Sequence, residues 1–311
     1  MVKPSIAVLC GGKSSFHTIQ LLALENYLCG VYLGTEDREL AQSMSGLLGR
    51  GGMDFDFTTD KNNWDRFQTW IDRVKPDAIF CIAFPFKIPA SVLELLPQRF
   101  INFHQGPLPQ FRGAVPIFEV LRSGQKETAV CAHVMSKGLD EGDIIVQEFI
   151  PISEDDTFGS LAMKIAERTS LAAQNIARML EFGSSLPMTV QEDDKAEYHP
   201  RPYPEDTLIR WHYMPAKEIV QLVNACNPWN TGADTILNNR PVKIISAEAG
   251  GICAEQYEPG TIISLSEGES LQIACIQQET LLVHIVSTDA GILPASALRR
   301  ENVNAGHRFT N

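Results

Sequence analysis

The segment from 101 to 117, INFHQGPLPQFRGAVPI, places an amide and an imidazole two positions apart, at Asn102 and His104. At the end of an apolar run this spacing puts both side chains on one face of a strand, because strand side chains alternate. An amide N–H can donate to an oxygen that gains negative charge. An imidazole titrates near neutral pH and can relay a proton between an attacking amine and a leaving group. Pro107 and Pro109 stiffen the turn that follows and hold His104 in position. A third group is needed to orient the imidazole, and a carboxylate there would also raise its pKa. Asp140, in a loop between two later strands, is the candidate. The three suit acyl transfer to an amine.

Other polar residues have plainer readings. His133 has no companions at metal-ligand spacing and reads as a structural histidine in the strand leading to Asp140; no metal site is expected. Gly11, Gly12 and Lys13 match neither G-x-x-x-x-G-K-[ST] nor G-x-G-x-x-G, so they read as a strand-to-helix turn lining an acceptor cleft. Gln105 is assigned to the same acceptor side. Arg112 either meets a substrate carboxylate or phosphate or ties its loop down. Asp143 reads as the start of a strand.

These groups need elements to hold them. Short apolar runs at 5–9, 29–33, 77–83 and 100–103 read as strands, with helical stretches at 14–26, 37–48, 63–74 and 114–123. Asn62 is the expected cap of the third helix. Alternating strands and helices predict an α/β domain with a doubly wound, mainly parallel sheet, whose carboxyl ends face the ligand crevice. Runs at 128–135 and 143–150 read as a strand pair, and 157–181 as one long helix. The stretch 187–206 turns polar and proline-rich, as a linker does. Beyond it, 215–225 reads as a helix. From Thr235 onward short strands with turn signals at 238–239, 250–251 and 267–268 suit a small β-barrel. At ~100–200 residues per domain, 311 residues predict two domains: 1–188 catalytic, 189–206 linker, 207–311 C-terminal.

Asn-x-His followed by Leu-Pro-x-x-Arg-Gly, with Leu-Asp-x-Gly-Asp about three dozen residues later, resembles the 10-formyltetrahydrofolate-dependent formyltransferase family. Ile209-Arg210-Trp211, Asn227-Pro228-Trp229 and Pro259-Gly260-Thr261-Ile262 extend the likeness into the C-terminal module, implying a Rossmann-like first domain and an OB-like second one. Within that family the layout is most similar to the branch that formylates methionyl-tRNA. The resemblance implies Asn102, His104 and Asp140 as catalytic residues and 10-formyltetrahydrofolate as cosubstrate. It implies a pterin ring held mainly by main chain, in loops that include Ala83, Phe84, Phe86 and Ile88 and then Lys137, Gly138 and Leu139. The family's Ser-Leu-Leu-Pro is Gly106-Pro107-Leu108-Pro109 here, and its Asp-Thr-Gly is Asp140-Glu141-Gly142.

Charge bears on the acceptor. Lys and Arg number 26 against 38 Asp and Glu, a net charge of −12. The stretch 35–52, where the tRNA branch of the family has a basic insertion, holds Glu36, Asp37 and Glu39 against Arg38 and Arg50. Residues 205–311 carry twelve acidic and seven basic side chains. Phosphate is repelled by such surfaces. The expected acceptor is therefore an amine or N-hydroxylamine on a small or carrier-bound metabolite, such as an amino sugar, siderophore or peptide precursor. The alternatives are methionyl-tRNA as acceptor, hydrolysis of the formyl donor, and a non-catalytic folate-binding module. Seven scattered cysteines without C-x-x-C spacing read as free thiols of a cytoplasmic protein. No apolar run approaches the ~20 residues of a membrane span, and 5–10 is too short for a signal-peptide core.

Overall fold

The computed structural model describes residues 2–35, 42, 45–46, 53–265 and 270–311. The expected helix at 37–48 lies outside the described residues except for Gln42, Ser45 and Gly46, as does the turn at 267–268. Two compact units share the chain: residues 1–113, 127–151 and 162–199 form one, and residues 114–126, 152–161 and 200–311 the other. The units thus interleave along the sequence, where composition divides it into consecutive spans.

In the first unit, β1 (Ile6–Cys10), β2 (Leu28–Gly34), β3 (Asp54–Thr58), β4 (Ala78–Ile82) and β5 (Phe100–His104) run parallel in the order β3-β2-β1-β4-β5. The two-residue β6 (Arg112–Gly113) lies apart from this sheet. β7 (Glu127–Val134) and β8 (Ile144–Pro151) add to β5 in antiparallel sense, so the sheet is mixed at that edge. Central β1 and β4 are buried at every position, which is why IAVLC and AIFCI are continuous apolar runs without alternation. β3 was not apparent from composition; its Asp-Phe-Asp-Phe alternation belongs to a half-buried strand whose Asp54 accepts from Trp70 Nε1 and Arg73 Nε.

Helix α1 (Phe16–Leu24) follows β1, and α2 (Trp64–Val74) follows β3. Phe67, Trp70 and Ile71 of α2 recur on one face and enter the core formed with Leu9, Tyr32, Ile79 and Phe100. Burying Phe67 alone contributes roughly 1.5–3 kcal/mol. The cap of α2 is Asn63 rather than Asn62: its side chain accepts from the Arg66 N–H at 3.4 Å. A one-turn α3 (Ala90–Leu93) precedes β5, and α5 (Phe158–Glu181) is the long helix expected at 157–181. Between them, α4 (Pro116–Arg122) belongs to the second unit. Residues 191–199, expected as linker, pack with the first unit through β9 (Tyr198–His199), which pairs with β6.

In the second unit, α6 (Ala216–Cys226) buries Ile219, Leu222 and Val223. An antiparallel sheet follows: β10 (Ala233–Leu237), β11 (Arg240–Ile252), β12 (Ile262–Ser264), β13 (Leu271–Ala274), β14 (Glu279–Thr288), β15 (Gly291–Pro294) and β16 (Phe309–Thr310). Its order is β12-β13-β14-β11-β10-β16, with β15 on β14, an open curled sheet of OB-like character. Asn238 and Asn239, at φ of 52° and 61°, make the two-residue turn of the β10–β11 hairpin. Gly250 and Gly251, expected as a turn, lie inside β11, where the pairing shifts between Ala249 and Ile252. Among the described residues no helix is long and apolar enough to cross a membrane. All seven cysteines are free.

Candidate active site

The chain leaves β1 toward β2 and β3 on one side and continues from β4 toward β5 on the other, so the carboxyl ends of β1 and β4 border a switch point. Gly11, just past β1, donates its N–H to Ile82 O at 3.3 Å. A Cβ on Gly11 would stand 2.0 Å from Ala83 O, so only glycine lets the two strand ends approach. β5 ends one strand over, and there Asn102 and His104 occupy the shared face that alternation predicts.

β7 then completes the cluster. Its antiparallel register sets His133 opposite Asn102, and the Asn102 Nδ2 lies 3.1 Å from His133 Nε2. His133 Nδ1 is 3.0 Å from Val134 O; a carbonyl only accepts, so Nδ1 carries the proton and Nε2 accepts from the amide. Past β7 the chain turns back, and Asp140 adopts a left-handed φ of 56° that brings its carboxylate inward. Asp140 Oδ1 stands 3.4 Å from Asn102 Nδ2 and 3.5 Å from His133 Nε2. Its Oδ2 stands 3.6 Å from His104 Nδ1 and accepts from the Gly113 N–H at 3.1 Å. His104 Nε2 donates to Phe111 O at 2.6 Å.

His104, His133 and Asp140 are 5%, 2% and 7% exposed, so these contacts act in a low dielectric. Burial pushes the His104 pKa below its ordinary value; Asp140 and the Phe111 carbonyl push it up without overcoming burial, and His133 adds to the lowering. The rise expected from a neighbouring carboxylate is present but loses to desolvation. Burial pushes the Asp140 carboxyl up, yet His104, His133 and the Gly113 N–H outweigh it and hold the group below the usual carboxylate range. The pair at rest is thus a neutral imidazole against an ionised carboxylate.

The expected triad comes together, with one change of part. The Asn102 amide nitrogen faces the cluster, within reach of His133 Nε2 at 3.1 Å and of Asp140 Oδ1 at 3.4 Å. His133 joins as the residue that orients this amide, a role visible only once β7 is known to pair antiparallel with β5.

The remaining candidates divide. Ala83, Lys13, Lys137 and Leu139 are exposed, and Gly12, Gln105 and Gly138 half-buried, at loops bordering the strand ends. Phe84 and Phe86 are half-buried with ring centroids 5.6 Å apart, and Phe84 packs on the core. The Ile88 side chain is core, leaving only its main chain for a ligand. Arg112 is 3% exposed and donates from Nε and Nη2 to Gln191 Oε1 at 3.1 and 2.9 Å and to Asp193 at 3.0 Å. Of its two readings, tying the loop is the one this geometry expresses. Among the described residues no group of three or more His, Cys, Asp or Glu is placed to hold a metal.

Fold and cluster together define a doubly wound α/β protein with two buried histidines gathered around a buried carboxylate at the strand ends. Residues 37–175 match the formyl transferase family and residues 203–299 match the formyl transferase C-terminal domain. The methionyl-tRNA formyltransferase of Kosmotoga olearia is 32% identical over 205 residues, 66% of this chain and 65% of that protein. The methionyl-tRNA formyltransferase of Pseudomonas putida is 33% identical over 242 residues, 77% of this chain and 76% of that one. The match thus spans just under two thirds of the first relative's length. An N-formyltransferase from Helicobacter canadensis, solved with folinic acid and dTDP-3-aminofucose, shares the fold at a TM-score of 0.66 and 15% identity, covering 91% of this chain and 99% of that one. The chain belongs to the formyltransferase family.

Proposed function

We propose that this chain transfers a formyl group from 10-formyltetrahydrofolate to an amine, with methionyl-tRNA as the acceptor. The observation that carries the reaction is the meeting of Asn102 and His104, both on β5, with Asp140 from the loop between β7 and β8, in a family member. What supports the acceptor is the naming of relatives that align over up to 77% of this chain. The donor supplies an activated one-carbon unit. Its ring is assigned to the loops at 83–88 and 137–140, whose main chain borders the cluster. An attacking amine must be neutral, and His104, itself neutral at pH 7, takes the released proton at Nδ1 because Nε2 is committed to Phe111 O. Asp140 Oδ2 faces that proton and stabilises the imidazolium. As the bond from the formyl carbon to the folate nitrogen breaks, His104 returns the proton to that departing nitrogen, releasing tetrahydrofolate. Asn102 turns one N–H from Asp140 to the oxygen that becomes negative.

The test is formylation of methionyl-tRNA with tetrahydrofolate release followed in parallel. His104→Ala should abolish turnover and leave folate binding nearly intact; turnover close to the parent's would refute the assignment. A second reading, a small or carrier-bound amine as acceptor, is favoured by the net charge of −12 and the acidic stretch at 35–52. A panel of amines and sugar nucleotides decides between them. Formate released without acceptor would mark a hydrolase, and folate binding without any turnover a binding module.

A further inference from the structure

The segment that sequence composition assigns to a linker touches both loops of the site. Gln191 is 7% exposed, and its carboxamide is fully used. Nε2 donates to Asp140 O at 2.8 Å and to Gly142 O at 2.7 Å. Oε1 accepts both Arg112 bonds, from Nε at 3.1 Å and Nη2 at 2.9 Å. One amide therefore joins the backbone that carries Asp140 to the loop that supplies its partner Gly113 N–H and the Phe111 carbonyl on His104. Two flanking contacts act in the same sense. The Tyr198 hydroxyl lies 2.7 Å from both Leu139 O and Glu141 Oε1, and β9 pairs with β6.

Asp140 needs such a hold. Its φ of 56° is unfavourable for a residue with a side chain, and its Oδ2 lies 3.6 Å from His104 Nδ1, where a small rotation changes the electrostatic coupling strongly. Backbone carbonyls at Asp140 and Gly142 without donors would be free to turn outward, and the carboxylate would turn with them.

We infer that Gln191 is a positioning residue of the formyl-transfer site, holding the Asp140 carboxylate in register with His104 by bridging the two loops. This rests on the formyl-transfer reading for its effect on rate, but not for its effect on His104. With Gln191→Ala, kcat falls on the order of 100-fold, the loss expected for a catalytic group displaced by about 1 Å, while the KM for 10-formyltetrahydrofolate stays near the parent's. The His104 imidazole, followed by NMR on histidine-labelled protein and assigned with His104→Gln, titrates at lower pH than in the parent, because Asp140 no longer supports its charged form. Gln191→Glu fails in the same way, since a carboxylate oxygen replaces the amide donor opposite two carbonyls. Glu192→Ala, one residue along and exposed, leaves both readouts unchanged. If Gln191→Ala does not fold, Gln191→Met keeps the volume without donor or acceptor and carries the same measurements.

A folded Gln191 variant with parental kcat, or with an unmoved His104 titration, overturns the inference. A parent protein that transfers no formyl group to any acceptor defeats the formyl-transfer reading instead, and the titration still decides whether Gln191 holds Asp140.

Discussion

At the scale of single residues, the site sets a neutral imidazole against an ionised carboxylate, and this has a consequence for stability. The folded pKa of His104 lies below its ordinary 6.5, so between the two values the unfolded chain binds the proton more readily. Stability therefore rises with pH through that window and is lost as pH falls below 6.5. The Asp140 carboxyl is lowered from 3.8, which gives the same sign in a more acidic window, with stability lost as pH falls below 3.8. Melting temperature should accordingly fall from pH 7 to pH 5, and His104→Gln, which cannot titrate, should flatten that slope; equal slopes would contradict the assignment. Asn102→Asp tests the amide. A second carboxylate 3.4 Å from Asp140 Oδ1 cannot ionise freely beside the first, so the pair takes up a proton at higher pH and residual kcat, small as it is, rises with pH where the parent is level.

Elements decide how far such side chains are legible before the fold is known. Alternation alone put Asn102 and His104 on one face, and the apolar runs at 5–9 and 77–83 were legible as strands, though not as neighbours in the interior of the sheet. His133 was different: its role depends on which residue of β5 it faces, and register across an antiparallel pair is a long-range property with no local mark in the sequence. Gln191 was hidden for another reason. Polar, proline-rich composition describes a segment without a core of its own, and 191–199 has none; it is ordered by hydrogen bonds to two other loops. Gly113 shows how tightly those loops are drawn together, since at φ of +136° its absent Cβ would lie 1.9 Å from His199 O. Gly113→Ala should therefore break the β6–β9 pair at a cost of about 1–3 kcal/mol and displace the N–H that Asp140 accepts. Urea denaturation and kcat measured on one preparation check this; a variant of unchanged stability would show that the pair yields without strain.

For the whole molecule the question is how a chain of net charge −12 would hold a polyanionic acceptor. Long-range forces oppose the approach, so binding of methionyl-tRNA would rest on a few local cations contacting phosphates. Each such contact releases counterions, and the observed affinity falls with salt at a slope of about 0.7–0.9 per contact on logarithmic axes. Three contacts would then weaken binding by roughly 20- to 40-fold between 50 and 200 mM salt. A small neutral amine makes no such contacts, and its KM should move little over the same range. Measured side by side, a KM for methionyl-tRNA that climbs with salt at nearly constant kcat would identify the nucleic acid as the acceptor the protein holds by its backbone. Flat salt dependence, together with faster turnover of a sugar or peptide amine, would mean that the acidic surface has kept tRNA out and that the strand-end cluster formylates a metabolite.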